Sequence, residues 1–209
     1  MIENINRKIQ FKLKVTLILW FVFVLLTLLV ILGLTRPLDT YIILSLSELD
    51  AKFGLALRVI SFIASAPIMF LVAFIILVYK FTMGAKIERE LALLLSLFFV
   101  SALTVIMKYA VAIPRPSDVG YLLFPLKYSY PSGHTSRFTV FCYYLGRRRW
   151  EQVLLIILLF LVSMSRILLL QHYLSDVIGG VLLGLATSVS VEVSSVYWLK
   201  YLTRLLRVS

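Results

Sequence analysis

Apolar residues gather along this chain into long unbroken runs separated by short polar segments. Continuous rather than alternating hydrophobicity predicts membrane-crossing helices and not barrel strands. The first run, 15–34 (VTLILWFVFVLLTLLVILGL), carries no charge. At about 1.5 Å per residue it is long enough to cross a hydrocarbon core of about 30 Å. Further runs lie at 59–79, 91–113, 135–146, 152–170 and 174–199. No internal repeat, low-complexity tract or linker marks a second domain, so the expectation is one all-α bundle of six transmembrane helices spanning 1–209. Segment 35–58 sets Asp39, Glu48 and Asp50 among apolar residues. It reads as an interfacial amphipathic helix that guides lipid, or as a long loop.

Composition agrees: 61% of the 209 residues are hydrophobic and 15% charged, and the mean hydropathy is +1.00. That excludes a water-soluble domain, where the apolar share is about 45–50%, and it excludes a disordered chain. The single cysteine, Cys142, has no intrachain disulfide partner and cannot anchor a structural metal site.

A net charge of +11 would raise the question of nucleic acid in a soluble protein. Here the charges report topology instead. With a cytoplasmic N-terminus the inner segments hold Arg7, Lys8, Lys12 and Lys14, then Lys80, Lys86 and Arg89, then Arg147, Arg148 and Arg149, then Lys200, Arg204 and Arg207. This is the positive-inside bias, with Trp150 and Trp198 at the same interface. The expected partner is therefore the bilayer, with no nucleic acid and with both termini cytoplasmic.

Lys108, Arg115, Lys127, Arg137 and Arg166 break that bias by clustering on the outer side. They fall in or near three segments: KYAVAIPRP at 108–116, YPSGHTSR at 130–137 and SRILLLQHYLSD at 165–176. The topology brings all three to the outer face. Lys108 sits inside an apolar span, where an ammonium serves a pathway or a partner, or else snorkels to the interface. Arg115 follows two turns along the same face, although Pro114 should stop the helix near Ile113.

Pro131-Ser132-Gly133-His134 opens a helix, with Ser132 suited to the N-cap and Gly133 letting a ligand approach the backbone, so an anion would meet the positive helix end. His172 and Asp176 are four apart and share a helical face, so the carboxylate can reach the ring Nδ1–H. Arg166 lies six residues before His172, about 240° around a continuous helix, so the chain must turn within 168–175 if both serve one site. The only two histidines, His134 and His172, both fall in these motifs beside convergent cations. Two histidines and one aspartate make a thin metal set, and the cations call for an anion such as phosphate.

Lys108 with Arg115-Pro116, then Pro131-Ser132-Gly133-His134, then Ser165-Arg166 with His172 and Asp176, resemble the three signature motifs of the type 2 phosphatidic acid phosphatase (PAP2) superfamily in residue type, order and spacing. The resemblance implies a phosphatase that works without metal or other cofactor through a phosphohistidine. His172 would be the nucleophile, Asp176 its orienting carboxylate and His134 the general acid. Lys108, Arg115, Arg166, Ser132 and the Gly133 N–H would hold the phosphoryl oxygens. A histidine that attacks phosphorus must be neutral and one that donates a proton must be charged, so a bell-shaped pH profile should follow.

From Gly133 to Gly146 the fourth run is about 21 Å long, short of the hydrocarbon core, which sets the phosphate site near lipid head-group depth and favours a lipid substrate. Arg137, three residues after His134, is a candidate contact for a second phosphate. YSYPSGHTSR is also similar to the motif of polyisoprenoid diphosphate phosphatases in the superfamily. The expected substrate is thus an undecaprenyl- or dolichyl-type diphosphate, cleaved to its monophosphate. Phosphatidic acid, phosphatidylglycerol phosphate and phosphotransfer to an alcohol are alternatives on the same site. In a different class stands an anion-binding transporter, against which the absence of paired interrupted spans argues.

Overall fold

The computed structural model describes residues 2–46, 48–117 and 127–206. Eight helices and no named strand are found among them: α1 (Ile2–Ile31), α2 (Arg36–Leu46), α3 (Glu48–Ile63), α4 (Ala66–Thr82), α5 (Glu88–Val111), α6 (Gly133–Leu145), α7 (Arg149–Leu168) and α8 (Leu174–Leu206). Arg207 of the expected inner cations lies outside the described residues.

All six apolar runs are helical, and the chain is a multi-pass all-α protein. The stretches Ile9–Ile31, Glu88–Val111, Arg149–Leu168 and Leu174–Ser195 are each long and apolar enough to cross a membrane. A bent pair, Phe53–Ile63 with Ala66–Thr82, kinked by 44°, is long and apolar enough to make a fifth if it is one broken span rather than a re-entrant loop. The run expected to start at 59 is broken here because Pro67 occupies the first turn of α4, where its fixed φ starts a helix but cannot continue one. The remaining run, α6, has 13 residues, about 20 Å, and is too short to cross on its own. The count of six full-length crossings is therefore not reproduced.

From Arg36 on, the described residues of segment 35–58 are helical and not a loop. Gly33, at φ 74°, ends α1 in a left-handed turn. Leu34 N donates to Leu29 O at 2.9 Å and Gly33 N to Val30 O at 3.1 Å, the paired bonds of a Schellman cap. The chain turns there into α2.

Buried Leu97 and Val100 on α5, Val140 on α6 and Leu183 on α8 form the centre of the bundle. Large apolar residues on the outward faces, among them Leu17 and Phe21 on α1, Phe74 on α4 and Ile156 and Phe160 on α7, are exposed, as lipid-facing positions are. Polar side chains serve inside. Ser96 Oγ donates to Tyr144 Oη at 3.0 Å, and Tyr144 Oη donates to Ser188 O at 3.1 Å, tying α5, α6 and α8 together. At the end away from the histidines, Glu90 on α5 pairs with Lys80 on α4 and with Arg147 at 3.5 Å.

Candidate active site

Three chain segments meet at the C-terminal end of α5. That helix stops at Val111 because Ala112 takes a left-handed conformation, φ 52°, with its N–H on Lys108 O at 3.1 Å. Arg115 thus lies beyond the helix and not on its face. The chain later returns alongside, with Pro114 bridged to Tyr128 and Ser129 N donating to Ile113 O at 2.8 Å. Lys108, buried at 4% exposure, donates from Nζ to Tyr128 O at 2.5 Å and to Ser129 O at 2.8 Å. It is partnered inside the protein and does not snorkel.

The turn expected within 168–175 lies between Leu168 and Leu174. Gln171 N and His172 N both donate to Arg166 O at 3.1 Å, folding the turn back onto the last turn of α7. His172 is thereby set beside Arg166 although the two point differently along the sequence. Its Nδ1 lies 3.3 Å from Asp176 Oδ2. Asp176 Oδ2 also accepts from Tyr173 N at 2.8 Å, and its Oδ1 from Ser129 Oγ at 3.4 Å. On the other side of the ring, Arg115 Nη1 is 3.4 Å from His172 Nε2. Arginine can only donate, so the arrangement assigns the proton to Nδ1 and leaves the lone pair on Nε2, facing the cations.

Burial pushes the His172 imidazole well below its ordinary value, and the positive charges of Lys108, Arg166 and Arg115 add to the effect, as does His134. The ring is accordingly neutral at pH 7 and its Nε2 is available as a nucleophile. His134, half-buried in the first turn of α6, stands in the positive field of Arg166, Arg137, Arg115 and Lys108. Arg115 also donates to Gln171 O at 2.9 Å.

Arg166 bonds Ser61 on α3 through Nη1. Among the described residues, its buried Nε and that of Arg137 have no hydrogen-bond partner. Such buried charged donors are costly unless a ligand satisfies them. Four cations and one carboxylate therefore surround the two histidines, an arrangement suited to a multiply charged anion.

The proposed N-cap needs one correction. Ser132 does occupy the position before α6, but its side chain makes no cap bond. Its Oγ instead accepts from Thr135 Oγ1 at 3.0 Å, and its N–H donates to Asp176 O at 2.9 Å. The backbone of the Pro-Ser-Gly-His segment is thus bolted directly to the His172–Asp176 turn.

α6 lies on α8 through glycines. A Cβ on Gly180 would stand 2.7 Å from Ser132 O, and one on Gly184 2.5 Å from Ser136 O, so backbone meets backbone as at small-residue membrane interfaces. Tyr130, fully buried, stacks on Phe23 of α1 and shares a 2.8 Å hydroxyl contact with Thr27.

Ser61, Ser129, Gln171 and Thr27 are supporting residues for which the sequence carried no signal. Lys127 is exposed beside Tyr128, its ammonium 5.3 Å from that ring centre.

No curated protein matches the sequence. The PAP2 superfamily model matches residues 89–201, more than half of the chain and all three motif segments. The chain belongs to the PAP2 superfamily. Its fold is similar to the crystal structure of the first transmembrane PAP2 type phosphatidylglycerolphosphate phosphatase from Bacillus subtilis, with a TM-score of 0.72 and 21% identity over 85% of this chain and 94% of that one. The PAP2 match starts one residue after Glu88, so α1 to α4 lie outside it. They nevertheless supply Ser61 to the site, as well as the Thr27 bracket.

Proposed function

We propose that this PAP2 protein is an integral-membrane lipid phosphatase that works through a phosphohistidine without a metal cofactor. Its proposed substrate is a polyisoprenyl diphosphate, and its products are the monophosphate and inorganic phosphate. The observation that carries the chemistry is the His172 ring, held by Asp176 at Nδ1 and presenting Nε2 toward Arg115.

Nε2 attacks the terminal phosphorus. The bond from that phosphorus to the bridging oxygen breaks, and His134, charged once the bound phosphate dianion offsets the surrounding cations, gives its proton to the leaving oxygen. Water then adds to the phosphorus and His134 takes the water's proton. The P–N bond breaks and inorganic phosphate leaves. Asp176 stabilises the positive ring while it carries the phosphoryl group. Lys108, Arg115 and Arg166, with Ser132 and the Gly133 N–H, hold the non-bridging oxygens and supply the fixed positive charge that magnesium gives in many phosphoryl transfers.

Two features support a diphosphate. Arg137 joins the motif cations as a fourth positive charge at His134. Its Nε is buried and has no partner among the described residues, as a contact to a second phosphate would require. Phosphatidylglycerol phosphate is the second reading, favoured by the fold likeness to a phosphatase of that name. The charge pattern further supports cytoplasmic termini and an active site on the outer side.

The deciding experiment assays phosphate release from a panel of purified lipid mono- and diphosphates in detergent, with His172→Ala as control. Release that is fastest from polyisoprenyl diphosphates and abolished by His172→Ala is the expected result. Release that survives His172→Ala overturns the mechanism. A preference for phosphatidylglycerol phosphate overturns the substrate assignment.

A further inference from the structure

We propose that Asp39, on the α2 segment that lies outside the three motifs and outside the family match, is a positioning residue for the His172–Asp176 pair; this rests on the phosphohistidine reading above. Asp39 is 5% exposed. Its Oδ1 accepts from Ser175 N at 3.0 Å and its Oδ2 from Ser175 Oγ at 2.7 Å. These contacts join residues 136 positions apart in the chain.

Ser175 is the second residue of α8, so its N–H is one of the donors that a helix start leaves without an internal partner. A carboxylate there satisfies that donor and meets the positive end of the helix dipole. Asp39 is therefore an N-cap delivered from another helix. The two carboxylates divide this turn between them: Asp39 takes Ser175, while Asp176 takes Tyr173 N at 2.8 Å and the His172 ring. Only one peptide bond separates the residue Asp39 clamps from the residue that orients the nucleophile.

The surroundings make the clamp consequential. A cavity of about 300 Å³ lies between α2 and the site, lined by Arg36, Asp39, Pro114, Tyr173 and Asp176. Among the described residues no side chain fills that volume, so packing at this point is incomplete. The two hydrogen bonds from Ser175 hold the register. The phosphate-binding cations come from α5, α6, α7 and the 113–116 turn, and not from α2 itself. Loss of the clamp should thus misalign the nucleophile while leaving substrate affinity in place.

The test measures kcat and KM for release of phosphate from a polyisoprenyl diphosphate in detergent, with thermal unfolding as a check of fold. Asp39→Ala is expected to lower kcat about 10–100-fold, the range for residues that orient a reactive group, with KM within about twofold of wild type. Asp39→Asn keeps an oxygen for Ser175 N and should restore kcat to within about threefold of wild type. Ser175→Ala on top of Asp39→Ala should add nothing.

If Asp39→Ala does not fold, Ser175→Ala carries the test, with kcat expected about two- to fivefold down at unchanged KM. Wild-type kcat in the variant that carries the test, or a rise in KM that accounts for the loss, overturns the positioning role. So does an Asp39→Asn protein as impaired as Asp39→Ala. A wild-type chain that releases phosphate from no lipid phosphate is a different result and sinks the phosphatase reading itself.

Discussion

The α6–α8 contact makes the active site sensitive to a single methyl group. In Gly180→Ala the new Cβ would stand 2.7 Å from Ser132 O and 3.1 Å from Thr135 Cβ. In Gly184→Ala it would stand 2.5 Å from Ser136 O and 2.7 Å from Thr139 Cβ. These neighbours are backbone or the stiff base of a β-branched side chain, so none can swing aside.

Reaching an ordinary contact of 3.4 Å requires α6 to move away from α8 by about 0.7 Å at the first site and about 0.9 Å at the second. His134 and Gly133 ride on α6, whereas His172 is tied to α7 through Arg166 O and to α8 through Asp176. Unless the Ser132 N–Asp176 O bond holds the start of α6 in place, His134 and His172, the proposed general acid and nucleophile, are pulled apart by up to that distance. A shift of that size costs up to about 100-fold in rate, and overpacking of this kind costs about 1–3 kcal/mol in stability. The assay is steady-state phosphate release from a polyisoprenyl diphosphate, with unfolding followed in parallel. A fall in kcat/KM of about 30–100-fold in protein that still unfolds cooperatively is expected for each variant. Folded Gly180→Ala and Gly184→Ala proteins with wild-type kcat/KM would refute the claim that this contact sets the register of the two histidines.

Other outcomes follow from the same geometry. Arg137→Ala should lower diphosphate turnover by about tenfold relative to monophosphate turnover, the value of one charge-assisted bond, and an unchanged ratio removes Arg137 from the substrate contacts. Phosphate release should persist in excess chelator, and a strict requirement for Mg²⁺ would contradict a site whose fixed charge is all side chain. Because burial and neighbouring cations depress His172, its protonation limits kcat/KM only well below pH 6.5. Removing one of those cations in Arg115→Ala makes the charged ring easier to form, so the acid limb measured on the residual activity should move to higher pH. A limb that moves to lower pH would contradict the assignment.

The apolar helices and the motif residues were legible in the sequence for different reasons. Long apolar runs need no partner to declare themselves, and the turn between α7 and α8 could be inferred because Arg166 and His172 cannot share one helical face. Lys108, Arg115, Arg137, Arg166, His134, His172 and Asp176 stood out as charges in the wrong solvent, and the structure gathers them. What stayed hidden was contact between distant segments. Nothing in the string around Ser61 announces an arginine 105 residues away. Asp39 is visible as an acid among apolar residues, but only the folded chain sets it on Ser175. The break between α3 and α4 was missed because an apolar run masks the proline within it. The Ser132 cap was misjudged because a neighbouring hydroxyl, Thr135, takes the oxygen that the helix would otherwise use.

The depth of the site follows from cross-links between α5 and its neighbours. Ser96 is level with Tyr144 near the end of α6, Thr104 with Ser136 near its start at 3.3 Å, and Lys108 with Ser129. The histidine-bearing start of α6 therefore sits beside 104–108 of α5, whose helix continues to Val111. At 1.5 Å per residue the phosphate site lies about 5–10 Å below the end of α5, recessed among the helix ends. A soluble phosphate ester would have to descend into that recess. The shortness of α6 bears on the proposed chemistry: lengthening it by a turn at its start would shift His134 by about 5.4 Å relative to His172, the proposed nucleophile held by α7 and α8.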